Sequence, residues 1–130
     1  MTIVKFIKKG TVLIFHKQLI DDYGGVNGLR DEGLLDSALA QVKTTMFGEY
    51  LHRDIIEMAA AYGYHLCQNH PFIDGNKRIA FVVMDTFLQV NGWEIIADER
   101  AVFSLMLDLA DDKIDKNQLA EWLRENCINK

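Results

Sequence analysis

The stretch that decides the fold is Met58–Met84, which reads MAAAYGYHLCQNHPFIDGNKRIAFVVM. Its 27 residues carry only three formal charges, Asp74, Lys77 and Arg78, and these fall within five residues of one another. The flanking segments are apolar on most sides, which is typical of helices buried at the centre of a bundle. Burying a charge is costly unless it is paired or bound. The stretch therefore predicts two central helices joined by a turn that carries the candidate site, although an ordinary exposed turn would have the same composition.

Apolar residues at helical spacing predict about six helices in total, and hence a mostly α-helical, compact bundle. The residues at which these helices are expected to begin or be capped are Thr11, Asp31, Asp54, Gly75, Asp98 and Asp115. Asp115 and Gln118 have the spacing of a capping box. The short run Trp93–Ala97 is β-like and is expected to pair with Ile3–Ile7 as a minor β-ribbon.

The length and composition of the chain exclude several classes of protein. The chain of 130 residues is predicted to form one domain, 1–130, with 49% hydrophobic residues and a net charge of −5. An acidic chain is not expected to bind nucleic acid directly. No apolar run reaches the length of a membrane span, and no signal peptide is apparent. Cys67 and Cys127 show no disulfide or metal spacing, which indicates a reduced, cytoplasmic protein.

The turn has the residues of an anion site. Asp74 stands where a helix N-cap is expected, and Gly75, Asn76 and Lys77 supply the first free N–H groups of the next helix. A helix N-terminus binds anions, and Lys77 and Arg78 add full positive charges beside it. This combination suits phosphate.

The same turn offers a metal ligand and a base. The carboxylate of Asp74 could hold Mg²⁺ beside bound phosphates, and the imidazole of His70 could accept a proton from an attacking hydroxyl. Pro71 is expected to end the preceding helix at His70, and Phe72 and Ile73 are expected to anchor the turn in the core. Each residue also has an ordinary explanation as a cap, a surface charge or a helix end, but the complete set lies within nine residues.

The run His70–Arg78 resembles the signature loop of the Fic/Doc superfamily, roughly H-x-F-x-D/N-G/A-N-G/K-R, and fits that pattern throughout. Further segments resemble its death-on-curing branch, namely Tyr23–Gly25, Leu29–Asp31, Leu35–Leu39 and Trp122–Leu123. The resemblance covers nearly the whole chain. It implies a compact Fic/Doc-type helical bundle with the motif loop between two central helices.

The resemblance also implies an activity. Lys77 replaces the glycine of the larger, AMP-transferring Fic branch, and Phe81 replaces its second arginine. The death-on-curing pattern implies an ATP-dependent protein kinase that phosphorylates a threonine of elongation factor Tu and inhibits translation. Transfer of AMP to a protein hydroxyl stays open as an alternative. So does a non-catalytic binding module.

The site roles that the resemblance implies follow the loop. His70 would be the general base and Asp74 would bind Mg²⁺. The residues implied to hold the phosphates of ATP are Gly75, Asn76, Lys77 and Arg78.

A toxin of this branch is implied to have an antitoxin of the prevents-host-death type as its partner. The tail of that antitoxin would fold as a helix in a groove of the toxin, and we expect the groove around the first two helices. The irregular segment with Met46-Phe47 and Tyr50-Leu51 is predicted to be core packing, with a flap that aligns the target peptide as the alternative. His16, His52 and His65 lack metal-ligand spacing and are expected to be structural.

Overall fold

The computed structural model describes residues 3–130, in which six helices and two small antiparallel sheets are present. The elements are α1 (Lys9–Tyr23), α2 (Glu32–Val42), β1 (Thr45–Met46), β2 (Glu49–Tyr50), α3 (Ile55–Asn69), α4 (Asn76–Val90), β3 (Trp93–Ile95), α5 (Glu99–Ala110), α6 (Lys116–Asn126) and β4 (Cys127–Asn129). The prediction of a mostly α-helical bundle of about six helices is confirmed.

The two central helices are α3 and α4, as the distribution of charges predicts. The α3 helix packs against α4, α2 and α6, and α1 and α5 lie against α4. Gly63 allows close packing in this centre, because a Cβ atom there would lie 2.7 Å from the sulfur of Met84. The motif loop joins the two buried helices, so its position is set by the core of the molecule.

The predicted caps are mostly confirmed. The carboxylates of Asp31, Asp54 and Asp98 each accept a hydrogen bond from the N–H three residues later, and Asp115 forms the predicted capping box with Gln118. The start of α1 was predicted wrongly. It lies at Lys9 rather than at Thr11, because the N–H of Val12 already bonds to the carbonyl of Lys8 without a side-chain cap.

The predicted ribbon between Trp93–Ala97 and Ile3–Ile7 is wrong. Strand β3 pairs antiparallel with β4, with Trp93 opposite Asn129. The N-terminal segment is held by side chains instead: Asn91 bonds to both backbone groups of Lys5, and Tyr62 accepts from the N–H of Ile7. Burial raises the pKa of Tyr62 to about 12, which keeps this hydroxyl protonated.

Strands β1 and β2 form a small exposed hairpin, so the prediction of core packing for this segment is wrong. Phe47 lies at its tip and is 98% exposed. The ring of Tyr50 contacts Phe6, which contacts Phe87 near the end of α4. In the part of the chain that the structure describes, no helix is long and apolar enough to cross a membrane.

Candidate functional site

Backbone hydrogen bonds hold the motif loop against the segment that precedes α2. The carbonyl of Pro71 accepts hydrogen bonds from the N–H groups of Arg30 and Asp31, at 2.8 and 3.0 Å. The N–H of Ile73 donates to the carbonyl of Gly28 at 3.0 Å. Backbone bonds on both sides of Phe72 therefore fix the first half of the loop.

His70 ends α3, as predicted, and takes a left-handed conformation with φ of 46°. Its side chain is exposed at the mouth of the site. The guanidinium of Arg30 donates from Nε to the carbonyl of His70 at 2.7 Å and from Nη2 to the carbonyl of Asn69 at 2.9 Å. These bonds satisfy carbonyls that a helix C-terminus leaves without partners. Arg30 therefore stabilises the turn that presents His70.

Phe72 is the anchor of the loop, as predicted, and only 2% of it is exposed. Ile73 is 53% exposed, so its predicted role as a second anchor is wrong. Its neighbour Phe72 turns inward, and consecutive residues of this extended turn point to opposite sides. The side chain of Asn76 bonds to both backbone groups of Phe72 at 2.9 Å. The Asn76 amide thus braces the loop internally.

Asp74 lies in the loop but is not the helix cap that the sequence predicts. Gly75 occupies the N-cap position in a left-handed conformation, with φ of 77°, so α4 begins one residue later than an Asp74 cap requires. The Asp74 carboxylate accepts from the N–H of Gly75 at 2.9 Å and from the N–H of Val26 at 3.2 Å. It therefore lies between the loop and the turn that follows α1.

Lys77 and Arg78 extend from the first turn of α4 towards different neighbours. The Lys77 ammonium lies 5.7 Å from the centre of the Phe103 ring in α5, and the Arg78 guanidinium lies 4.7 Å from the Tyr23 ring in α1. Within residues 3–130, neither cation forms an ion pair with a carboxylate. Both positive charges are therefore available to an anion at the N-terminus of α4.

A groove of about 950 Å³ leads away from the loop between α1, α4, β3 and α5. His70, Lys77 and Arg78 line one end, and Asp85 and Gln89 line the wall further along α4. Burial raises the pKa of Asp85, although its carboxylate accepts a hydrogen bond from Gln89 at 2.8 Å. The groove is therefore cationic at the motif loop and acidic along α4.

The structure brings together all six residues that the sequence singles out, namely His70, Asp74, Gly75, Asn76, Lys77 and Arg78. Besides the backbone bonds with Gly28, Arg30 and Asp31, sequence reasoning missed two contacts at Asp74. One is the Val26 N–H on Asp74. The other is the imidazole of His16, which lies 2.7 Å from the carbonyl oxygen of Asp74. The available signal was a polar residue on the apolar stripe of α1, between Val12 and Ile20.

His52 and His65 lie elsewhere, around the Lys116 ammonium at the start of α6. Lys116 Nζ is 3.1 Å from His52 Nε2 and 3.5 Å from His65 Nε2. Burial and the charge of Lys116 lower the pKa of both imidazoles, that of His65 to about 4. Among residues 3–130 no cluster of three or more His, Cys, Asp or Glu residues could hold a metal ion by itself.

Comparison with known proteins gives a consistent result. The family model described as "Fic/DOC family" matches residues 6–88. Toxin Doc of Mycolicibacterium smegmatis is 38% identical over 104 residues, which cover 78% of this chain and 79% of that protein. Protein kinase doc of Escherichia phage P1 is 27% identical over 121 residues, 93% of this chain and 94% of that protein. The loop, its two central helices and these matches together show that the chain belongs to the Fic/DOC family.

Proposed function

We propose that this protein is the toxin of a type II toxin–antitoxin pair and that it transfers the γ-phosphoryl group of ATP to a hydroxyl of a protein target. The observation that carries the proposal is the loop itself: an exposed His70 lines the same groove as a helix N-terminus with two cations that pair with no carboxylate among residues 3–130. The names of the two relatives, a toxin and a protein kinase, support it.

The phosphates of ATP would bind at the start of α4. The first N–H bond within this helix runs from Ile79 to the carbonyl of Gly75. The N–H groups of Asn76, Lys77 and Arg78 therefore have no partner inside the helix and point towards its N-terminal end. Together with the side-chain charges of Lys77 and Arg78, they favour a bound polyanion. Gly75 contributes through its backbone.

Asp74 fits the requirements of Mg²⁺ that arrives with ATP. Mg²⁺ is usually held by one or two protein carboxylates together with phosphate oxygens and water, so a complete protein cage is not needed. Each oxygen of Asp74 accepts one backbone hydrogen bond, and a carboxylate has about four acceptor positions. A lone pair is thus left for the ion. The bound Mg²⁺ would neutralise charge that develops on the phosphates.

The reaction needs little covalent chemistry from the protein, because phosphoryl transfer depends mainly on positioning and charge stabilisation. The oxygen of the target hydroxyl forms a bond to the γ-phosphorus, and the bond from that phosphorus to the β–γ bridging oxygen breaks. His70 accepts the hydroxyl proton. ADP leaves with the electron pair of the broken bond, and Lys77 and Arg78 stabilise the negative charge on the phosphates.

Two positions favour phosphoryl transfer over AMP transfer. The AMP-transferring pattern has glycine at position 77, which allows phosphate to approach the backbone closely, whereas Lys77 fills this space and adds a charge. Its second arginine corresponds to Phe81, which lines the groove with an apolar ring. The site therefore has one guanidinium from the loop for the phosphates, that of Arg78.

We further propose that the whole chain, 1–130, acts as one cytoplasmic domain and that a threonine of elongation factor Tu is the target, so that modification inhibits translation. The partner would be a prevents-host-death-type antitoxin whose tail binds as an amphipathic helix. The groove between α1, α4, β3 and α5 suits such a segment, since Leu19, Phe103 and Met106 line it. This proposed surface shares α1 with the groove expected from the sequence and uses α5 instead of α2.

Expression in a bacterial host tests whether catalysis is the function. The wild-type protein should arrest growth, and His70→Ala should abolish the arrest because the proton acceptor is lost. His65→Ala is a matched control, since this histidine lies beside Lys116 and outside the loop. Arrest that persists undiminished in His70→Ala would favour the non-catalytic binding module.

Calorimetry tests the antitoxin surface. A synthetic antitoxin tail should bind the wild-type protein, and Phe103→Asp should weaken binding, because an exposed aromatic ring in the groove wall is replaced by a charge. Ile14→Asp changes an equally exposed apolar residue of α1 that does not line the groove, and it should leave the affinity unchanged. Equal loss in both variants would contradict docking in this groove.

A further inference from the structure

His16 makes the most buried polar contact with the motif loop. The residue lies in the middle of α1 and is 1% exposed. Its Nε2 atom is 2.7 Å from the carbonyl oxygen of Asp74. Its ring stacks on that of Phe72, with 3.7 Å between the ring centres and 12° between the planes. One side chain thus contacts the loop through its anchor and through its backbone.

The direction of the hydrogen bond follows from chemistry. A carbonyl oxygen only accepts, so the Nε2 atom of His16 must carry the proton and donate it. The Asp74 carbonyl is therefore held inward, towards α1, by a donor that the core protects from water.

This bond also sets the direction of the N–H group in the same peptide unit, that of Gly75. In a planar trans peptide the C=O and N–H bonds point in opposite directions. With the Asp74 carbonyl directed at His16, the N–H of Gly75 points away from the core, where it meets the Asp74 carboxylate at 2.9 Å. Gly75 is a left-handed glycine, a residue that tolerates rotation of the adjoining peptide units. The bond from this N–H to the carboxylate is a second restraint, but it lies at Asp74, which is exposed, whereas His16 is buried.

We propose that His16 is a positioning residue: it holds the Asp74–Gly75 peptide so that the Gly75 N–H donates to the Asp74 carboxylate and keeps that carboxylate at the phosphate site. The part of the inference that concerns nucleotide binding rests on the proposed function. The part that concerns the orientation of the peptide rests on the geometry alone. It gives this buried histidine a task in the site beyond packing, since the stack on Phe72 needs only a flat ring.

Two variants distinguish the effect of the N–H donor of His16 from the effect of its aromatic ring. His16→Phe keeps an aromatic ring on Phe72 but has no N–H, whereas His16→Gln loses the ring and has an amide N–H at a similar reach. His52→Phe is a matched control, because His52 is also a buried histidine and its Nε2 faces Lys116 rather than the loop. Circular dichroism and thermal unfolding verify that each variant is folded at the temperature of the measurement.

Calorimetry with Mg²⁺ and adenylyl imidodiphosphate, an ATP analogue that cannot transfer its γ-phosphate, gives the first readout. His16→Phe should weaken binding about tenfold or more, as expected when the carboxylate that would hold Mg²⁺ is no longer kept in place. His16→Gln should stay within about threefold of the wild-type protein, since it keeps the donor, and His52→Phe should not differ from it. Equal weakening by His16→Phe and His16→Gln would show that the ring matters and not the donor, and would overturn the proposal.

Nuclear magnetic resonance gives a second readout that needs no nucleotide, and its first part uses the wild-type protein alone. The ¹⁵N spectrum of the wild-type imidazole should show the proton of His16 on Nε2, and the Gly75 amide should shift in His16→Phe but not in His52→Phe. A proton found on Nδ1 alone would exclude donation to Asp74. If the wild-type protein binds no nucleotide, the proposed function fails, and this spectrum still decides the role of His16.

Discussion

Gly25 lies so close to the Asp74 carboxylate that there is no room for a side chain. A Cβ atom at residue 25 would be 2.6 Å from Asp74 Oδ2, and the residue has φ of +112°. Its neighbour Gly24 also has a positive φ, +86°, but open space around the Cβ position. Alanine at either position would therefore strain the backbone, but only alanine at residue 25 would also contact the Asp74 carboxylate.

We expect Gly25→Ala to weaken Mg²⁺-dependent binding of the ATP analogue, because the added methyl group displaces the Asp74 carboxylate. Gly24→Ala should leave that affinity unchanged. Both variants should lose about 1–2 kcal/mol of stability from an alanine at positive φ. Calorimetry at several Mg²⁺ concentrations and urea unfolding measure the two effects. Equal affinities for Gly25→Ala and Gly24→Ala would show that the position of Asp74 does not matter for binding.

That the candidate site residues lie together could be predicted from the sequence, whereas the orientation of their groups could not. The order of residues 70–78 indicates a base, a carboxylate and two cations by their chemistry. The turn of the Asp74 carboxylate towards Val26 depends on the left-handed Gly75 and on a loop 48 residues earlier. The partner of His16 depends on packing between α1 and the loop, which no local pattern encodes.

At the scale of elements, the helices follow from local signals. Four aspartates cap helices as predicted, because an N-cap bond spans only three residues. The pairing of β3 with β4 was missed because short β-like runs do not indicate which segment they pair with. A three-residue strand such as Trp93–Ile95 has no register pattern of its own. Its partner could therefore be found only from the packed structure.

The centre of the bundle depends on a glycine in α3. Gly63→Ala should destabilise the protein by about 1–3 kcal/mol, because its methyl group would press on the buried Met84 between α3 and α4. Gly10→Ala is the matched control in α1, where the Cβ position is open. It should stabilise the protein slightly, by up to about 1 kcal/mol, through helix propensity. Urea unfolding checks both, and destabilisation of similar size at the two positions would count against close packing at Gly63.

At the scale of the whole molecule, the cluster of His52, His65 and Lys116 should make stability depend on pH. Burial and the charge of Lys116 lower the pKa of both histidines, while Glu57 opposes the shift for His52. The unfolded state therefore binds protons more readily than the folded state. This contribution to stability is complete above the unfolded pKa of about 6.5 and is lost as the pH falls towards the folded pKa of His65, about 4.

We expect the wild-type protein to lose on the order of 1–2 kcal/mol of unfolding free energy from His65 between pH 7 and pH 5, after allowance for partial exposure. His65→Gln carries no titrating group and should have a shallower slope over this interval. Urea unfolding at a series of pH values gives the difference between the two proteins. Parallel slopes would mean that His65 has an ordinary pKa in the folded state.

The central claim is that the loop between α3 and α4 transfers phosphate rather than AMP. The most direct measurement incubates the purified protein with Mg²⁺, elongation factor Tu and ATP labelled at either the γ- or the α-phosphate, with His70→Ala beside the wild-type protein. We predict that label enters the target from the γ position only, and that His70→Ala lowers the rate about 10²–10⁴-fold, as expected for loss of a general base. Label from the α position, or no label from either, would contradict the account.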